Sequence, residues 1–182
     1  MQHRLTYFKG FLTILSVVLM IVWIVTAMTN SDPLWFIPRF TAQAKNMTIY
    51  WDGITTTISE NDPGYDAIMQ AFAQAMAKPV AFEWEVGFSE ENISLYKTSY
   101  KMLEVVFDEP VQVHTRYPYN KAKTYLVPLD KTHADYRRIF SYTGYVPYSS
   151  GPVNIHKTAF VDLYSAVEQA VGIRKTVTRS DD

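Results

Sequence analysis

The chain has 182 residues, no cysteine and a formal net charge of −1, and 15% of its residues are aromatic. The lack of cysteine excludes disulfide scaffolds, thiolate zinc sites, iron–sulfur clusters and thiol nucleophiles. The near-neutral charge argues against a dedicated nucleic-acid binder, and the aromatic content excludes a disordered chain.

An uncharged apolar segment dominates the N-terminal region. It runs from Phe11 to Met28 and, at about 1.5 Å of helical rise per residue, approaches the roughly 30 Å thickness of a bilayer's hydrocarbon core. Arg4 and Lys9 precede the segment, so the positive-inside rule predicts a cytoplasmic N-terminus and an extracytoplasmic remainder. A cleaved signal peptide is the alternative, because residues 25–27 loosely fit a small-residue cleavage site.

The rest of the chain is divided around this segment. We predict a short cytoplasmic segment at residues 1–9, a transmembrane helix at 10–29, a juxtamembrane linker at 30–46, an extracytoplasmic domain at 47–172 and a polar tail at 173–182. The linker is rich in proline and large apolar residues. It is therefore expected either to lie along the lipid headgroups or to tuck its aromatic rings into the domain.

The domain begins with a hairpin followed by an amphipathic helix. Two β-rich runs, Met47–Trp51 and Ile54–Ile58, flank an Asp-Gly pair that suits a tight type I′ turn. Apolar residues at helical spacing then predict a helix over Tyr65–Lys78, with Asp62 as its N-cap and Pro79 ending it.

An alternating segment follows, Val80–Val86. The alternation predicts a strand that turns Phe82 and Trp84 toward the core and turns Glu83 and Glu85 toward solvent. After it, acidic residues in a first helical turn predict a short helix over residues 89–98.

The second half of the domain is rich in β-strand signals and ends in a helix. Strands are predicted over Lys101–Asp108, Val111–Tyr117, Tyr125–Leu129 and Arg137–Tyr142, and a helix over Thr158–Val171. The predicted fold class is α+β: a mainly antiparallel sheet with two amphipathic helices packed on it, preceded by one N-terminal transmembrane helix.

The sequence gives little sign of catalysis or of a metal site. It contains no serine-hydrolase elbow, phosphate-binding loop or zinc-protease motif. We therefore predict no catalytic residue, no metal and no cofactor. The histidines and paired carboxylates that remain candidates for an anchored hydrolase are Glu83, Glu85, His114 and His156.

The charge is distributed unevenly along the chain. Residues 52–109 contain eleven acidic and three basic residues, whereas residues 111–138 contain six basic and two acidic ones, interleaved with tyrosines. Such a basic, tyrosine-rich stretch can bind an acidic partner or surface, or the two stretches can neutralise each other across the sheet. A second tyrosine cluster follows in a Pro- and Gly-rich loop. The predicted binding residues are Arg116, Lys121, Lys123, Arg137, Arg138, Tyr142, Tyr145 and Tyr148.

These observations favour a membrane-anchored extracytoplasmic interaction or sensor-accessory domain without catalytic activity of its own. Its expected partners are the membrane, through the N-terminal helix, and a protein or an anionic surface, but not nucleic acid. The alternatives are an anchored hydrolase of envelope polymers and a small-ligand-binding domain that uses the tyrosine loop.

Overall fold

The computed structural model describes residues 2–30, 32–37, 39–84, 86–115, 117, 121–142 and 151–180. Within these residues there are five helices and seven strands. The helices are α1 (Gln2–Asn30), α2 (Tyr65–Ala77), α3 (Glu90–Ser99), α4 (Lys131–Asp135) and α5 (Lys157–Ser180). The strands are β1 (Asn46–Trp51), β2 (Ile54–Ser59), β3 (Ala81–Phe82), β4 (Met102–Val111), β5 (Ala122–Pro128), β6 (Arg138–Tyr142) and β7 (Val153–Asn154).

All seven strands form one antiparallel sheet in the order β2-β1-β4-β5-β6-β7-β3. Helices α2 and α5 pack against each other and cover one face of the sheet. The predicted fold class, an α+β domain after an apolar N-terminal helix, is confirmed.

Helix α1 contains a stretch long and apolar enough to cross a membrane. An 18-residue window within Tyr7–Thr29 has a mean hydropathy of 2.6, and none of that window is buried against the rest of the protein. The hydroxyls of Thr13, Thr26 and Thr29 donate hydrogen bonds to carbonyls four residues earlier. These bonds satisfy the polar groups within the helix, as a hydrocarbon environment requires.

The first hairpin is confirmed, and the start of α2 differs from the prediction. Asp52 and Gly53 turn the chain with φ angles of 51° and 82°. The N-cap of α2 is Gly64 rather than Asp62. Gly64 has a φ of 90°, and a Cβ there would lie 2.7 Å from the Cβ of Ala170 in α5. The close packing of the two helices therefore requires glycine at this position.

The main core lies between the sheet and helices α2 and α5. The predicted apolar face of α2 is confirmed, because Ile68, Phe72, Ala75 and Met76 are all buried. The segment before β1 contributes Phe40, whose ring contacts those of Phe72, Phe107 and Tyr125. At Phe40 the segment is therefore tucked into the domain.

A smaller core lies on the opposite face of the sheet. Its buried residues come from three strands, from α3 and from the loop before α3: Phe88, Tyr96, Met102, Leu126 and Phe140. The short helix α3 covers them, and the Ser89 side chain caps it by accepting a hydrogen bond from the Asn92 amide. This helix was predicted from its acidic first turn, and the prediction is confirmed.

Three predicted strand arrangements are wrong. The strand expected over Val111–Tyr117 is absent from its described residues, where beyond β4 only His114 forms an isolated bridge, with Arg39. The strand expected over Val80–Val86 contains only the two residues of β3, and Trp84 is 73% exposed rather than in the core. The predicted break at residues 108–110 is also absent, because β4 continues through Pro110 with an irregular register after Val106. A proline is tolerated there because its missing amide does not interrupt a regular ladder.

Candidate functional site

A buried carboxylate attaches the segment after α1 to one end of the sheet. Asp32 is 1% exposed, and both of its oxygens accept from Nδ1 of His114, at 2.9 and 3.0 Å. The Asp32 amide donates to the Ala27 carbonyl of α1, and Arg39 forms a β-bridge with His114. The end of the sheet where β4 ends and β5 begins therefore lies beside the end of α1. We call it the α1 end.

An exposed aromatic cluster lies beside β3 and reaches toward the α1 end through Tyr117. The indole of Trp84 packs edge-on against Phe82 with a centroid distance of 4.8 Å, and Phe82 stacks on Tyr117 at 6.5 Å. The hydroxyl of Tyr117 donates to the carbonyl of Val80, a residue that is 43% exposed. Tyr117 follows His114 by three residues, so their Cα atoms are at most about 10 Å apart. We call Val80, Phe82, Trp84 and Tyr117 the Trp84 surface.

The Trp84 surface is exposed because β3 is the last strand of the sheet. After Phe82 the chain runs close to the segment before β7, where a Cβ on Gly151 would lie 1.7 Å from the Glu83 carbonyl oxygen. Phe82 still packs against the main core, but Trp84 lies beyond the part of the sheet that α2 and α5 cover. The sides of Phe82 and Glu83 are thus as predicted, whereas Trp84 is not buried and Val86, expected on the side of Phe82, packs against the smaller core.

Two of the predicted binding residues stand at the α1 end. Lys121 and Lys123 flank the buried Ala122 at the start of β5, and both lysines are exposed. Neither lysine has an ion-pair partner among the described residues. Lys121 follows Tyr117 by four residues, within about 14 Å along an extended chain. Positive charge therefore follows Tyr117, on the side of the Trp84 surface that reaches toward the α1 end.

The structure places Arg137 and Arg138 at the opposite end of the sheet. The pairing of Leu126 with Phe140 puts Arg138 beside the end of β5, roughly 20 Å from Ala122. Arg137 has a φ of 52° and donates from Nε to the carbonyl of Ile155. The two arginines are thus not brought together with the two lysines.

Arg138 belongs to a polar network that is largely shielded from solvent. It is 9% exposed, and its guanidinium donates to both oxygens of Glu83, at 2.6 and 3.3 Å. These hydrogen bonds, together with one from Asn154, hold the pKa of the Glu83 carboxyl below its ordinary value. Here the acidic and basic stretches neutralise each other, as one of the two interpretations of the charge pattern predicts.

His133 completes this network. Its Nδ1 accepts from Arg138 at 3.2 Å, so the ring is neutral, and it packs edge-on against Phe88 and Phe140. Burial, followed by the positive charge of Arg138, lowers the pKa of His133. The arrangement stabilises the packing of strands and offers no free base to a substrate.

The remaining predicted binding residues lie in or beside the tyrosine loop. Tyr142 is half-buried against the smaller core. Arg116, Tyr145 and Tyr148 lie outside the described residues.

The residues considered for hydrolysis are dispersed. Glu83 is bound to Arg138, His114 is bound to Asp32, and the Nδ1 of His156 lies 3.0 Å from the Thr158 hydroxyl. Glu85 lies outside the described residues. His156 borders an open groove of about 590 Å³ between the end of α2 and the start of α5. Among the described residues, no three His, Asp or Glu side chains come together as metal ligands.

Comparison of the chain with protein-family models, with curated proteins and with solved structures gives no match. What the surface can bind therefore has to follow from its own residues. Sequence reasoning missed the Trp84 surface because alternation alone predicted burial. The signal that could have revealed it is Pro79 before the segment and Gly87 after it, which favour a short strand at a sheet edge.

Proposed function

We propose that this protein is a membrane-anchored, extracytoplasmic interaction domain without a catalytic activity of its own. Helix α1 supplies the anchor, and Arg4 and Lys9 before its apolar stretch favour a cytoplasmic N-terminus. Almost all of the folded chain is then outside the membrane, where a partner has to be met.

The single observation that supports this function best is the exposed Trp84. A tryptophan that is 73% exposed and packs against Phe82, which in turn stacks on a half-buried tyrosine, has the composition of a contact surface. Tryptophan and tyrosine are enriched among the residues that dominate protein interfaces, because each buries a large rigid area and offers a polar atom. A catalytic site would instead gather free histidines and carboxylates in a cleft, whereas among the described residues His114 is bound to the buried Asp32 and Glu83 is bound to Arg138.

The location of this surface favours a partner at the same membrane. The bonds from Asp32 to His114 and to Ala27 hold the α1 end next to the anchor. A protein embedded in the same bilayer meets this end of the domain first. Such a partner would place an apolar pocket against Trp84 and acidic groups against Lys121 and Lys123.

Photo-crosslinking in native membranes tests the proposal. A photoreactive phenylalanine analogue replaces Trp84 in the full chain, and the matched control carries it at Leu95, which is 40% exposed on α3, the helix that contacts β1 rather than β3. We expect a discrete protein adduct from position 84 and none of the same mass from position 95. The adduct should weaken as salt concentration rises, because exposed charges are screened within roughly 8 Å at physiological salt.

Charge variants distinguish an effect of these two lysines from an effect of the overall net charge. The double variant Lys121→Ala, Lys123→Ala should reduce the adduct, whereas Lys131→Ala, Lys157→Ala removes the same charge elsewhere and should leave it unchanged. Equal adducts from positions 84 and 95 would overturn the proposed surface. Adducts to lipid alone, with matching retention on anionic liposomes, would replace the protein partner with the membrane surface.

A further inference from the structure

The sheet has two edges of very different length. Strand β3 forms one edge with two residues, whereas β2 forms the other with the six residues Ile54–Ser59. Proteins usually protect a long edge with charged side chains or proline. The β2 sequence, Ile-Thr-Thr-Thr-Ile-Ser, contains neither. It therefore offers a flat edge on which a further strand can pair.

The register of the hairpin identifies the backbone groups that are free. Trp51 and Ile54 close a two-residue turn, and such a closing pair exchanges hydrogen bonds. Because the pattern alternates, residues 54, 56 and 58 bond to β1, whereas Thr55 and Thr57 turn their N–H and C=O groups outward. Among the described residues nothing bonds to those four groups.

The end of the free edge is defined by Asp62. Its carboxylate accepts from the Ser59 amide at 2.8 Å, and its own amide donates to the Ser59 carbonyl at 2.8 Å. Ser59 is the next residue after Thr57 that turns outward, so its groups are already satisfied. An added strand would therefore be recognised over Thr55 and Thr57 and would end at Ser59.

The side chains along this edge indicate what an added strand would carry. Thr55 is exposed and continues a cross-strand row with Tyr50 and Met102, while the exposed Thr57 continues a row with Thr48 and Glu104. β-Branched and aromatic residues pair well with threonine and tyrosine across neighbouring strands. On the other face Ile54 is 54% exposed and suits an apolar neighbour.

We propose that the β2 edge binds an extended segment of a partner protein, which joins the sheet as an eighth strand. Four backbone hydrogen bonds to Thr55 and Thr57 hold it. The segment has β-branched or aromatic residues opposite the two threonines, an apolar residue opposite Ile54, and no proline among the residues that pair.

The direction of β2 argues against a second copy as the occupant. β2 runs toward the α1 end, because Ser59 pairs with Asn46 and Asn46 pairs with Val106 near the end of β4. Every pairing in this sheet is antiparallel. An antiparallel β2 from a second copy would therefore place its α1 end at the opposite end of the sheet, where both anchors could not readily share one membrane.

The test uses the full chain in lipid nanodiscs and a random octapeptide library displayed on phage. We expect enrichment of peptides with alternating β-branched or aromatic residues. On binding of such a peptide, amide hydrogen exchange should slow at Thr55 and Thr57. Exchange at Thr56 should not change, because its amide already bonds to β1.

Two substitutions at one position separate backbone pairing from side-chain contact. Thr57→Pro removes an outward amide without removing a bond to β1, and should weaken peptide binding by about tenfold or more. Thr57→Val keeps the amide and should bind within about twofold of the unsubstituted chain. Unchanged exchange at Thr56 and Ile58 shows that the hairpin is intact; if Thr57→Pro disturbs it, Thr55→Pro, which removes the other outward amide, takes its place.

Three outcomes would overturn the proposal. In the first, no peptide is enriched. In the second, the enriched peptides bind Thr57→Pro as tightly as they bind the unsubstituted chain. Alternatively, the chain dimerises and Thr57→Pro abolishes the dimer, which would make a second copy the occupant of this edge.

Discussion

Trp84 and Glu83 are adjacent residues for which the structure reverses what the sequence predicts. Alternation places Trp84 in the core and Glu83 in solvent. It therefore predicts that truncating the tryptophan lowers the free energy of unfolding strongly and that neutralising the glutamate hardly changes it. In the structure Trp84 is 73% exposed, and Glu83 forms an ion pair with the buried Arg138. We therefore expect Glu83→Gln to destabilise the domain more than Trp84→Ala.

The magnitudes follow from burial and from the bonds that are lost. About a quarter of Trp84 is buried, which is roughly 65 Å² of a side chain that buries up to about 250 Å². At about 25 cal/mol per Å², Trp84→Ala lowers the free energy of unfolding by at most about 1.5 kcal/mol. Glu83→Gln leaves the buried Arg138 cation without its counter-ion, and we expect a loss of about 2–3 kcal/mol.

Urea unfolding of a soluble fragment, residues 32–182, measures both variants. The fragment keeps Asp32 with its bond to His114 and omits α1. Circular dichroism should show one cooperative transition, from which linear extrapolation gives the free energy of unfolding. A loss above about 3 kcal/mol for Trp84→Ala, with less than about 0.5 for Glu83→Gln, would restore the core position of the tryptophan and refute this reasoning.

Three further predictions concern the rest of the molecule. A fragment of residues 47–182 lacks the Phe40 ring and should be about 3–5 kcal/mol less stable than residues 32–182 in the same assay; equal stability would mean that the segment before β1 is dispensable. The pKa of His133 is held below its ordinary 6.5 by burial and a neighbouring guanidinium, so protonation favours the unfolded chain. The contribution of neutral His133 to the free energy of unfolding should therefore be fully present above pH 6.5 and be lost as the pH drops below it. Urea midpoints measured at several pH values should show this decrease, and the decrease should be smaller in His133→Gln. The full chain should remain in the membrane fraction after a carbonate wash, whereas a mature product beginning near Met28 would identify a cleaved signal peptide.

Local features of this chain could be predicted from the sequence. The Asp52-Gly53 turn needs positive φ angles that only a few residue types adopt readily, and the structure has them there. The apolar face of α2 follows from the 3.6-residue period of a helix, whatever packs against it. Ser89 caps α3 because a cap involves only the neighbouring amides.

The candidate site depends on contacts between residues that are far apart in the chain, and the sequence pattern does not show which of them meet. Lys121 and Arg138 belong to one basic stretch, yet the pairing of β5 with β6 places them at opposite ends of the sheet. Arg138 is neutralised by Glu83, which is 55 residues away in the chain. A charge count cannot show which cations stay free, because ion pairs form between residues that the fold brings together.

The sequence by itself determined the apolar helix, the Asp52-Gly53 turn, the helical faces and the fold class, because each depends largely on residues close together in the chain. Only the tertiary structure decided which strands lie at the edges and what covers each face. Alternation establishes that a strand has two sides, but burial depends on the layer above it. Strand β3 is the last in the sheet and α2 and α5 do not reach beyond it, so Trp84 stays in solvent. Strand β2 is last on the other side, so the amides of Thr55 and Thr57 are left without a neighbouring strand.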